Sequence, residues 1–172
     1  MTPPLPNRAP PHWRAHVYER SFDTARPRAA VWAWLNEPAT FVDTQVPPYR
    51  VEFLDDTSER GGMTPGTYNV HHGPLLLFAG VVGDRADPDP DDPSRPAVRD
   101  LHYGYGSHAI SMRLIRPTLL RFTAEHLSPS DTRLTLRVES LTHPRVAGLW
   151  TAVQRPFWSM FPRWLERSVP TG

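Results

Sequence analysis

Residues 132–141, TRLTLRVESL, carry the cleanest alternation in the chain, and their reading decides the fold class. Leu134, Leu136 and Val138 fall on one side and Arg133, Arg137 and Glu139 on the other, the period-two signature of a strand with one wet face. Upstream, Asp100 to Tyr105, His108 to Arg116 and Thr118 to His126 repeat the pattern, with turns at Gly104–Gly106, Arg116–Pro117 and Ser128–Asp131. Further upstream, Thr67 to His72 and Leu75 to Val82 form a pair joined at Gly73-Pro74. Connections this short predict an antiparallel meander with one apolar face that needs a cover.

The cover follows immediately. Between Pro144 and Val169, eight apolar residues recur at three- and four-residue steps: Val146, Leu149, Trp150, Val153, Phe157, Phe161, Trp164 and Leu165. Arg145, Gln154, Arg155, Arg163 and Arg167 take the opposite side. Pro156 and Pro162 each delete a helical hydrogen bond, so one kinked helix is expected. Trp158 falls off the stripe and is assigned to the sheet edge or to a contact in a homodimer.

At the other end, His16 to Phe22 suits a first strand, with His16, Tyr18, Arg20 and Phe22 on one face. A helix follows in which Thr24 caps, Pro27 starts the first turn, and Val31, Trp34 and Leu35 share a face. A second helical turn is placed after Pro38, a strand at Arg50 to Leu54 and a turn at Asp55 to Gly62.

Composition narrows the chemistry. The chain has 172 residues, the size of one ordinary domain, and a net charge of +1, which argues against a nucleic-acid binder. Every one of the 19 basic residues is Arg, so Schiff-base and P-loop lysine chemistry are excluded. With no Cys there are no thiolate sites and no disulfides. The longest apolar run, Leu75 to Val82, is less than half a membrane span, so no stable membrane insertion is expected. No leader pattern opens the chain, which makes a cytoplasmic location the expectation. Proline, 21 of 172, is the outlier. Residues 1–14 read as a disordered tail, and residues 15–169 as a single domain. Within that domain, residues 84–97 read as a mobile, acidic, proline-stiffened loop. The loop has the acids of a calcium site but not its mid-loop Gly or terminal Glu.

Strand, short helices, meander and long last helix resemble the START-like, Bet v 1-like superfamily, which includes polyketide cyclase/dehydrase-type and lipid-transfer proteins. The residues that carry the likeness are Pro27, Val31 and Trp32 near the start and Thr132, Arg133 and Leu134 before the last helix. The resemblance implies an α+β helix-grip fold: a curved antiparallel sheet of six to seven strands wrapped round the C-terminal helix, with a cavity between them. It also implies a hydrophobic small molecule as ligand. No invariant catalytic motif comes with it.

Strand parity then nominates cavity residues. Tyr68, His72, Tyr103, Tyr105, His108 and His126 offer polar tips, and Phe122, Trp150 and Phe157 offer apolar walls. Tyr and His hydrogen-bond a carbonyl or hydroxyl without burying a charge. The expected ligand site is Tyr68, His72, Tyr103, Tyr105, His108, Phe122, Trp150 and Phe157. His71 and His72 are adjacent and cannot chelate one metal, and no HExxH spacing exists, so neither metal nor cofactor is expected. The function expected is binding, with transport or sequestration, of a hydrophobic or aromatic small molecule. The alternatives are a cyclase- or dehydratase-like enzyme using a Tyr/His pair in the same cavity, and a protein-interaction module without ligand.

Overall fold

The structure, a computed structural model, describes residues 10–43, 50–54, 63–73, 76–105 and 114–169. The chain opens with β1 (Arg14–Thr24), α1 (Arg28–Asn36) and α2 (Pro38–Asp43). Then come β2 (Arg50–Phe53), β3 (Tyr68–Gly73), β4 (Leu76–Ala86), β5 (Ala97–Tyr105), β6 (Ile115–Ser128) and β7 (Asp131–Thr142). After a 3-10 turn at Pro144–Val146 it closes with α3 (Ala147–Ser168). Among the described residues the strands form one seven-stranded antiparallel sheet in the order β1-β7-β6-β5-β4-β3-β2. The first strand therefore pairs with the last, and α1 and α2 carry the chain to the far edge.

Parity on β7 is as the alternation predicts: Leu134 and Leu136 are fully buried, with Leu120 and Phe122 of β6 beside them. Each such side chain contributes about 1.5–3 kcal/mol on burial. From above, α1 delivers Val31, Trp32 and Leu35, and α3 delivers Phe161 and Leu165. On the opposite face of the sheet Arg137 links Glu19 and Glu139 across β1 and β7.

The helix entry differs from expectation. Thr24 does not cap α1; it ends β1 opposite Thr132, and Pro27 is the N-cap with no side-chain bond. Pro27 suits that place because its fixed φ starts the turn and its missing N–H is not needed there. Nor is Arg116-Pro117 a turn. Strand β6 runs through it, and a bulge between Pro117 and Leu119 absorbs the missing donor.

The last helix is continuous through both prolines. Its burial differs from the expected stripe: Gln154, Phe161 and Leu165 are buried, whereas Leu149 is 65% and Val153 52% exposed. Trp158 packs on the core cluster, not at the sheet edge. The face of the helix that bears Phe161 and Leu165 meets β1, α1 and, through Phe122, β6. That turns the flank bearing Leu149 and Val153 out of the contact.

The proline-rich excursion is shorter than the composition suggests, because Asp84 to Ala86 belong to β4 and Ala97 opens β5. What remains is tied to α1. Trp32 Nε1 and Arg85 Nε donate to Asp87 Oδ1 at 2.6 and 2.7 Å. Arg28 donates to the carbonyls of Asp89, Pro93 and Arg95. Partial burial works against the Asp87 charge, but those two donors outweigh it and hold the carboxyl below its usual range.

Candidate functional site

The interior face of the sheet between β3 and β5 gathers the polar side chains. On β5, Ala97, Arg99, Leu101 and Tyr103 alternate inward and all are buried. On β3, Asn69 and His71 turn the same way: Asn69 is fully buried, and the His71 ring meets the Tyr103 ring edge-on at 5.5 Å. Gly80 of β4 makes room between them. A Cβ there would sit 2.7 Å from Tyr103 Cδ1 and 3.0 Å from Asn69 Oδ1.

Arg99 is the most buried charge in this set. Its guanidinium carbon lies 5.0 Å from the Phe41 ring and 5.2 Å from that of Phe122. Nη1 donates to the Leu35 carbonyl, at the end of α1, and to Met63 Sδ. Nε and Nη2 are buried without a hydrogen-bond partner among the described residues. Burial lowers its pKa to about 9, with the neighbouring Arg85 acting in the same direction and Tyr103 and Asp100 against it. Asp100 is not a direct partner, because it points to the other face, where Arg121 takes both its oxygens at 2.7 and 2.6 Å.

Burial also sets the titration of the rings. It lowers His71 to about 4, aided by the charge on His72, and raises the Tyr103 phenol well above its usual range against the pull of Arg99. At neutral pH the pair is therefore an uncharged imidazole beside an uncharged phenol. Such a pair can donate to or accept from a carbonyl or hydroxyl, and it carries no charge of its own.

The expected site residues fall in different places. Tyr103 lies in the interior set. Phe122 is at the centre of the aromatic cluster, stacked on Phe161 at 5.4 Å and 22° and meeting Trp158 edge-on at 6.4 Å. Trp150 turns to β7, its Nε1 donating to Ser140 Oγ at 3.2 Å. Phe157 is 41% exposed and packs on Trp158 and Trp164 at 4.9 and 5.9 Å. Tyr68 and His72 lie on the other face of β3: Tyr68 is 44% exposed, and His72 Nε2 is 3.1 Å from Glu52 Oε1. Tyr105 pairs with Ala79 at the end of β5, and His108 lies outside the described residues.

Sequence reasoning missed Arg99, Asn69, His71 and Gln154. Arg99 was within reach, since it shares parity with Leu101 and Tyr103 once β5 is started at Ala97 instead of Asp100. On β3 the parity was right and the face reversed, because Val70 is the more apolar residue yet Asn69 is the more buried. Gln154 sat on the side of α3 read as polar, and both of its side-chain polar atoms are buried without a partner among the described residues.

A separate groove of about 690 Å³ opens between β1 and α3, lined by Val17, Glu19, Arg20, Thr151 and Arg155 among others. It touches none of the interior polar residues. No group of three His, Cys, Asp or Glu among the described residues is placed to hold a metal, and no described helix is long and apolar enough to cross a membrane.

No family model matches the sequence, and no curated protein matches it. The architecture does match solved structures. Norcoclaurine synthase from Thalictrum flavum, in complex with dopamine and hydroxybenzaldehyde, superposes with a TM-score of 0.60 at 12% identity, over 90% of this chain and 87% of that one. The Zhui aromatase/cyclase from Streptomyces sp. R1128 gives 0.59 at 17%, over 88% and 92%. Ara h 8.0201 gives 0.53 at 13%, over 91% and 98%. The chain has the START-like, Bet v 1-like fold. β1 and β2 are the two edges of the sheet, and Arg99 stands on the face that bears Phe122, against which Phe161 of α3 stacks, with Tyr103 and His71 on the same face.

Proposed function

We propose that this helix-grip protein binds a hydrophobic, predominantly aromatic small molecule between the sheet and α3. One observation carries the reading. The helix rests on β1 and α1 and, through Phe161 and Trp158, on Phe122 of β6, while the inner face at β3–β5 presents polar side chains of which Asn69 has no hydrogen-bond partner among the described residues. Unpartnered polar atoms in an aromatic interior cost free energy unless something hydrogen-bonds them. The apolar flank of α3 at Leu149, Val153 and Phe157 is supporting evidence, since it leaves uncovered surface next to the aromatic run from Phe157 through Trp158 to Phe122. Norcoclaurine synthase, of the same fold, was solved with aromatic molecules bound.

The test is equilibrium titration with N-phenyl-1-naphthylamine, a neutral dye that brightens in apolar surroundings. Saturable, displaceable binding that quenches tryptophan emission is expected, and Trp158→Phe should reduce the quenching. No displaceable binding would overturn the reading.

An enzyme reading has one observation in its favour, the uncharged His71–Tyr103 pair, which could exchange a proton with a bound carbonyl compound. It requires turnover that His71→Gln abolishes while dye binding persists.

A further inference from the structure

A fully buried guanidinium normally has a carboxylate beside it, because an isolated charge in a protein interior is costly. Among the described residues Arg99 has none in contact. Its nearest acid in sequence, Asp100, is committed to Arg121 on the other face of the sheet. The partners it does have are a carbonyl, a thioether and two aromatic rings, and the rings satisfy no N–H. Opposite it on β4 stands a second guanidinium, Arg85, whose own charge is met by Asp87. Among the described residues the interior thus holds one positive charge more than its contacts balance, with the Nε and Nη2 donors of Arg99 unused.

We propose that the molecule bound in the grip carries an anionic oxygen group, a carboxylate or an ionised enol or phenol on an aromatic frame, and that this group is held by Nε and Nη2 of Arg99. These two nitrogens lie along one edge of the guanidinium, the edge whose spacing matches two oxygens of a carboxylate. The aromatic frame would run along Phe122 and Trp158 toward Phe157. Because Arg99 is closed off from solvent, the anionic group enters by displacing packed side chains, and slow association is part of the expectation.

This inference rests on the ligand-binding reading above, and the experiment separates the two. The probes are 2-naphthoate and 2-naphthalenemethanol, equal in frame and different in charge, each displacing N-phenyl-1-naphthylamine at pH 7.5. The acid is expected to bind at least about tenfold more tightly, the scale of charge-assisted hydrogen bonds in a buried site. Arg99→Gln should erase that preference by weakening the acid at least about tenfold more than the alcohol, whereas Arg155→Gln, in the open groove, should preserve it. Equal affinities of the two probes for the unaltered chain would overturn this inference alone, and that comparison stands even where Arg99→Gln fails to fold. Loss of the preference in Arg155→Gln would also overturn it, by moving the anion to the surface. If neither probe nor dye binds, both readings fall.

Discussion

Arg121 holds Asp100 by two hydrogen bonds across the β5–β6 pair, Nε to Oδ1 at 2.7 Å and Nη2 to Oδ2 at 2.6 Å. Asp100 is almost wholly buried and Arg121 only partly so, which makes the carboxylate the member that depends on the pair. Asp100→Asn should therefore cost about 1–2 kcal/mol, the lower part of the range for charged hydrogen bonds, because solvent compensates the freed Arg121. Urea unfolding measures this, and an unchanged midpoint would show the pair to be decorative.

The contact between Trp32 and Asp87 can be removed while an aromatic ring is kept at this core position. Trp32→Phe keeps a large ring on α1 but deletes the donor at 2.6 Å. A loss of about 1 kcal/mol is expected from the hydrogen bond, with a packing cost added because the smaller ring leaves space at this buried position. Amide exchange in residues 88–95 should accelerate more than in β7. Uniform acceleration across the sheet would mean that the packing of Trp32, not its hydrogen bond, is what matters.

Gly80 is a position at which even a methyl group has no room. A Cβ would lie 2.8 Å from the His102 carbonyl oxygen and 2.7 Å from Tyr103, and backbone cannot swing aside as a side-chain tip can. Gly80→Ala should destabilise by about 1–3 kcal/mol, read as a lowered Tm. A neutral result would mean that β4 and β5 sit further apart than described.

His71 makes stability depend on pH with a definite sign. Burial lowers its folded pKa to about 4 from the ordinary 6.5, so between those values the unfolded chain takes a proton that the folded chain refuses. The contribution is complete above about pH 6.5 and is lost as pH falls toward 4, a difference on the order of 3 kcal/mol. His16, lowered by partial burial, adds in the same direction. Unfolding free energies at pH 7 and pH 4.5 should therefore diverge in the native sequence and much less in His71→Phe. A slope identical in both would assign the effect to other groups.

How far the fold could be read depended on how one-sided each element is. Residues 132–141 are half wet and half buried along their whole length, so alternation exposed both the strand and its inner face. The last helix was legible as a helix but not as an orientation: its apolar residues outnumber those the core takes, and packing on β1, α1 and Phe122 of β6 selects the stripe of Phe161 and Leu165. The interior polar residues were hidden for a related reason. Burial of Arg99, Asn69 and Gln154 runs against their polarity, so a rule that sends polar residues outward must misplace them. Tyr103 was found because a phenol agrees with either environment.

The pairing of β1 with β7 joins the first strand to the last across almost the whole sequence. During synthesis, residues 14–24 leave the ribosome with no neighbour to zip against until residues 131–142 have also emerged. The nascent chain must therefore keep its opening strand and the Trp-bearing helix behind it in waiting, and a message truncated before Asp131 would release a product with no rim strand to close on.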